Sequence, residues 1–181
     1  MQRLTKLSNK FRRRTLRAQY AHTQGYPYAA QLDPAFDRTL GQLAGAEAVT
    51  DSKCAILPGS VMVKSVGEMV TLSGTRGTDQ RAFGLAGNFV GGELDELGDS
   101  SEISVWKGAG SVWQILKPAF DPTNVLTEAG AEAGTVATEV YMNSGSDGRL
   151  AVDAAGAMTI SDTVRLLAAP SANTVIVELL V

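Results

Sequence analysis

The chain has one cysteine and one histidine in 181 residues. A single cysteine closes no internal disulfide, and Cys54 with His22 alone cannot assemble a zinc cluster. Any Ser–His–Asp or Cys–His machinery would have to recruit His22 from a segment that reads as peripheral. No apolar run approaches the length of about 18 residues that a membrane span needs. Charged residues make up only 19% and hydrophobic ones 44%, which excludes a disordered chain and points to a folded domain with an appendage.

A more local absence is more informative. Residues 1–32 contain no acid, and they carry seven bases: Arg3, Lys6, Lys10, Arg12, Arg13, Arg14 and Arg17. Residues 33–181 carry nine bases and nineteen acids, so an arm of +7 precedes a body of −10, and the net charge of −3 conceals both. Three units follow from this division: a basic arm over 1–32, a short helix or linker over 33–50, and a β-rich domain over 51–181.

Within the arm, Leu4, Leu7, Phe11 and Leu16 fall near helical spacing, with bases at the positions between them. An amphipathic helix and an extended arm that orders against a partner both fit that pattern. Tyr20, Tyr26, Pro27 and Tyr28 form an aromatic, proline-bearing stretch suited to lying across another surface. Such an arm can bind nucleic-acid phosphates, serve as a transit peptide, lie on a membrane surface, or pair its arginines with carboxylates of another protein. Its apolar stripe is thin for the membrane role, and no continuous apolar segment follows the bases as a secretory signal requires.

The body reads as mainly β. Strand-like runs occur at 61–65, 68–72, 81–85, 102–106, 111–116, 137–142, 149–152, 157–160, 164–168 and 174–180. Short runs at such spacing favour a β-sandwich or β-barrel of short antiparallel strands over a βαβ fold. Turn chemistry punctuates them: Pro58-Gly59 suits a tight turn, while Val66-Gly67, Asp147-Gly148 and the Gly-containing loop between Trp106 and Trp113 each suggest a hairpin. Val164, Leu166, Val175, Val177 and Leu179 alternate as one buried face would, so the chain's last segment reads as strand. Over 34–43, Asp33 as N-cap, Pro34 at the first helical position, and Phe36, Leu40 and Leu43 predict a short helix. The small-residue tract 128–134 reads as loop.

Searches for chemistry return little. Glu93, Asp95, Glu96 and Asp99 lack the spacing of a calcium loop, and 143–154 lacks an acid at its twelfth position. No phosphate-binding loop or nucleophile elbow occurs, and Gly84 to Gly87 reads as a bulge or strand end. Cys54 has the apolar neighbours of a core residue, and Trp106 and Trp113 read as core residues on paired strands, with interface anchors as the alternative. No catalytic, metal or cofactor site is expected.

The block 56–63 with its Pro-Gly and Val-x-Val pattern, followed by Arg81 to Ala86 and Glu102 to Trp106, resembles the decoration, or cement, proteins of tailed bacteriophage heads. That resemblance covers about residues 54–120. It implies a non-enzymatic virion protein, made in the host cytoplasm, that binds the major capsid protein and stabilises the shell. It also implies a homo-oligomer, with a trimer favoured, and a place on the capsid surface away from membranes. The arm would then dock across capsid subunits through Leu4, Leu7, Lys10, Phe11, Arg12, Arg13, Arg14, Arg17, Tyr20, Tyr26 and Tyr28. Ordering it costs about 1–2 kcal/mol per residue, which apolar anchors and Arg–carboxylate pairs must offset. A tail or internal minor head protein whose arm contacts nucleic acid is the alternative.

Overall fold

The computed structural model describes residues 16–18, 25–34, 36–37, 42–43, 56–65, 67–72, 81–91, 96–117, 119–120, 134–144, 149–152 and 162–181. Among these residues there is no helix. There are thirteen strands: β1 (Leu16–Ala18), β2 (Tyr26–Gln31), β3 (Phe36–Asp37), β4 (Gln42–Leu43), β5 (Val61–Lys64), β6 (Val70–Thr71), β7 (Ala82–Ala86), β8 (Glu102–Lys107), β9 (Val112–Leu116), β10 (Gly134–Ser144), β11 (Leu150–Val152), β12 (Val164–Ser171) and β13 (Thr174–Leu179). Every predicted run has a strand within or across it except 157–160, which lies outside the described residues.

The strands form two antiparallel sheets and one small ladder. The first sheet has the order β1-β9-β13-β12-β10-β11 and the second the order β2-β8-β7-β5-β6. Side-chain alternation builds the first sheet. Along β13 the residues Val175, Val177 and Leu179 are buried while their neighbours are half-exposed, and β9 repeats the pattern with Trp113 and Ile115. These residues join Val164 and Leu166 in an apolar layer that also contains Val61, Val63 and Leu85 of the second sheet, so the two sheets meet across it. The central strands of the second sheet are buried on both faces. Met62, Phe83, Ala86, Ile103 and Val105 point away from the first sheet into a second cluster with Ile56, Val70 and Val90.

Local chemistry accounts for the turns. Pro58 and Gly59 form a tight turn in which Ser60 N–H donates to Leu57 O at 2.8 Å, with Gly59 at a φ of 97°. Gly67, at a φ of 70°, closes the β5–β6 hairpin. The β10–β11 hairpin pairs Ser144 with Leu150 around Asp147-Gly148, which lies outside the described residues.

Two expectations are corrected. In place of a helix over 34–43, Phe36 pairs with Leu43 and Asp37 with Gln42 as an antiparallel ladder. Ten residues are too few to hold a helix by propensity, and Gly41 weakens the last turn further. The segment between Trp106 and Trp113 is not a hairpin: β8 and β9 belong to different sheets. Each is already flanked on both sides, β8 by β2 and β7 and β9 by β1 and β13, so neither has an edge left for the other. The tryptophans instead meet with ring centroids 4.9 Å apart where the chain crosses between sheets. Trp113 is buried, and its indole N–H donates to Ser111 Oγ at 2.8 Å.

The charge boundary at residue 32 is not a structural boundary among the described residues. Leu16–Ala18 pairs with β9, opposite Ile115, Gln114 and Trp113, and Leu16 is buried in the shared core. Tyr26–Gln31 pairs along its whole length with β8. The end of the basic segment thus forms one edge of each sheet.

Candidate partner-binding surface

Strand β2 positions this surface. Leu32 N–H donates to Ser101 O at 2.7 Å, so by alternation the backbones of Tyr26, Tyr28 and Ala30 also face β8, and those of Pro27, Ala29 and Gln31 face outward. Over Tyr26–Gln31 no described strand pairs with that outer edge, which meets β6 just beyond, where Leu32 bridges Val70. Pro27 lacks an N–H where the edge would present one, which interrupts the row of donors that a further strand would use.

The end of β2 is fastened to the body. Asp33 N–H donates to Val70 O at 2.9 Å, Gln31 Nε2 to Ser101 Oγ at 2.6 Å, and the Ser65 hydroxyl to the buried Asp33 carboxylate. A buried carboxylate left without such a donor would be costly, so this contact keeps the strand in place.

Side chains of Tyr26, Tyr28, Ala30 and Leu32 share one face of β2. Ala30 and Leu32 are buried in the second cluster, whereas Tyr26 is 53% and Tyr28 49% exposed. They are the exposed large hydrophobic residues among the described part of the chain. Beside them stands Phe83, placed there by a bulge: Met62 pairs with Gly84 and Val63 with Ala82, leaving Phe83 as the extra residue. Strict alternation would have put Phe83 in the inter-sheet layer with Leu85; the bulge turns it to the opposite face. Gly84 is required there, because a Cβ would lie 2.3 Å from the Trp106 carbonyl oxygen and 2.8 Å from Val105 Cγ1.

Tyr28 meets Phe83 edge to face, with centroids 5.6 Å apart and planes at 68°. Lys107, opposite Tyr26 on β8, holds its ammonium 4.3 Å from the Phe83 centroid and 5.9 Å from that of Tyr28. Contacts of these kinds contribute about 0.5–1.5 kcal/mol each. The result is a surface of exposed Tyr26, a Tyr28 held by an anchored phenylalanine, and one cation.

Of the arm residues expected to bind a partner, Tyr26 and Tyr28 come together here. Arg17 lies in β1, on the other sheet, opposite Gln114. Leu4, Leu7, Lys10, Phe11, Arg12, Arg13, Arg14 and Tyr20 lie outside the described residues, as do His22 and Cys54. Sequence reading missed Phe83 and Lys107. Gly84 inside a strand-like run was the available signal for Phe83, since it marks the bulge; a lysine stacking on a ring from another strand leaves no mark in the sequence.

Two ion pairs lie elsewhere among the described residues. Lys64 reaches Glu68 at 2.8 Å and holds its carboxyl below the usual carboxylate range by hydrogen bonding and charge. Arg165 pairs with Glu178 across β12 and β13. In the acidic stretch, Glu96 Oε2 accepts from Phe89 N–H at 3.3 Å, while Glu93 and Asp95 lie outside the described residues. No group of three His, Cys, Asp or Glu converges among the described residues, and they contain no helix long and apolar enough to cross a membrane.

Comparison with known proteins adds a family. The family model for phage cement proteins matches residues 2–180, so the match takes in the basic segment as well as the sheets. No curated protein and no solved structure matches the chain. A β-rich chain, whose two sheets are closed at one side by the end of a basic segment, is matched over nearly its whole length: it belongs to the phage cement protein family, structural components of the virion capsid.

Proposed function

We propose that the protein decorates the capsid by binding the major capsid protein and adds contact area that resists outward pressure on the shell. Its two sheets, read as a β-sandwich, act as a rigid block, and the basic segment docks across capsid subunits. The observation that carries this reading is the division of charge: six bases precede Leu16 with no acid until Asp33, within a chain of the cement family. Arginines suit this task because a guanidinium engages carboxylates in a bidentate manner. Many symmetry-related copies would convert modest individual affinities into durable attachment. The same family membership leads us to propose a homo-oligomer, a trimer in the first instance, which light scattering of the purified protein tests.

Rebinding to capsids stripped of this protein tests docking. Truncation must stop before Leu16, because β1 and β2 are parts of the sheets. Removal of residues 2–14 is expected to weaken rebinding by at least about tenfold while leaving the melting temperature of the body unchanged. Equal affinity for full-length and shortened chains would refute arm docking. DNA binding with a salt slope set by several bases, together with unchanged capsid affinity, would support the nucleic-acid alternative.

A further inference from the structure

The basic segment does not account for the face of β2. Two neighbouring tyrosines are about half exposed, at 53% and 49%, on a strand otherwise fastened into a sheet. Tyrosine joins a large apolar ring to a polar hydroxyl, and aromatic residues are enriched at interface centres. The side chains are also pre-arranged. Phe83 is 5% exposed and holds Tyr28 edge to face, while Lys107 is drawn over the Phe83 and Tyr28 rings, so Tyr28 has little rotamer freedom left to lose on contact.

The surroundings define the partner's chemistry. The first acid, Asp33, is buried beyond the other end of β2, and the acid of β8, Glu102, sits opposite Gln31 at the far end of the pair. Five residues separate it from Lys107, about 17 Å along a strand. Among the described residues the charge held against these rings is the Lys107 ammonium, and an anionic group on a partner fits it. Pro27 interrupts the donors along the outer edge, so contact through the side-chain face is favoured over addition of a strand.

We propose that Tyr26, Tyr28, Phe83 and Lys107 form a second docking surface, on the folded body, that takes an acidic segment of the major capsid protein carrying an apolar side chain. This deepens the decoration role and rests on it: the basic segment supplies long-range attraction, and this face supplies the fixed contact.

The test compares full-length protein, Y26S/Y28S, K107E and the chain lacking residues 2–14 for rebinding to stripped capsids. Hydroxyl-radical footprinting of the unmodified protein, free and bound, runs beside it and needs no variant to fold. The tyrosines are surface residues, so Y26S/Y28S should keep its melting temperature within a few degrees and lose about tenfold or more in affinity. K107E should lose a similar factor, and Tyr26 and Tyr28 should be protected from oxidation only on capsids. Affinities of both patch variants within about twofold of the parent, with unprotected tyrosines, would overturn the second surface. If the truncation still weakened binding in that case, decoration by the arm would stand without it. Protection that rises with protein concentration in the absence of capsids would assign the face to a second copy and overturn the capsid assignment. Failure of the parent protein to rebind at all would refute the decoration role, and this surface with it.

Discussion

The two sheets are built from similar residues yet carry different duties. In the first, burial alternates along β9 and β13, so one face packs and the other is half-covered by residues such as Gln114, Ile176 and the Arg165–Glu178 pair. In the second, β5 and β7 are buried on both faces, and exposure is concentrated on β2. A sheet with one packed face is a wall. A sheet packed on both faces is a rigid mount, and it holds the strand that carries the tyrosines on its edge. Firm support behind an exposed aromatic edge is what separates a binding surface from a merely exposed one.

The largest expected effect separates the two sheets directly. Ile103 points away from the first sheet yet is fully buried, whereas Ile176, on the outer face of the first sheet, is half-buried. Ile103→Ala should cost about 3–4 kcal/mol in urea unfolding and Ile176→Ala about 1 kcal/mol, and equal losses would break the comparison. Next comes Gly84→Ala, whose new Cβ would press on the Trp106 carbonyl. A loss of about 3 kcal/mol is expected, together with altered fluorescence of the adjoining tryptophans.

Smaller still is Leu16→Ala. Burial of Leu16 beside β9 predicts a loss of about 2 kcal/mol, while removal of residues 2–14 should change stability by less than about 0.5 kcal/mol. That pair of values locates the point at which the basic segment becomes part of the fold.

The smallest effect concerns Glu68. Its carboxyl titrates below the ordinary value of 4.5 because Lys64 bonds to it and attracts it. A depressed folded value contributes stability that is present above pH 4.5 and lost as the pH falls through the folded value. Because Glu68 is fully exposed, the consequence for stability is slight, and the carboxyl shift is the quantity to measure. Lys64→Met should return the Glu68 titration midpoint, followed by NMR, toward 4.5.

Much of the fold was legible because its causes are local. Alternation in Val175, Val177 and Leu179 has a single structural solution, and Pro58-Gly59 and Val66-Gly67 announce their turns through backbone preference. Gly84 likewise announced its bulge. Strand partnership was not legible: Leu16 meets Ile115, and Tyr26 meets Lys107, across most of the chain's first two thirds. Such pairings are decided by which edges remain open once the sheets have formed. The run Tyr-Pro-Tyr-Ala-Ala-Gln has no apolar alternation, because most of it faces water, so nothing local marks it as a strand. For the same reason the tyrosines were visible as candidates while their support by Phe83 and Lys107 was not. A helix over 34–43 failed differently: Phe36 and Leu43 satisfy helical spacing and a short ladder alike.

The central claim is that the protein meets the shell through its basic segment and the tyrosine-bearing edge of its second sheet. A cryo-electron microscopy map of the decorated capsid tests it most directly. The account predicts Tyr26 and Tyr28 covered by the major capsid protein, with a carboxylate against Lys107 and the residues before Leu16 running over neighbouring subunits. A map in which that edge faces solvent and the first sheet rests on the shell would contradict it.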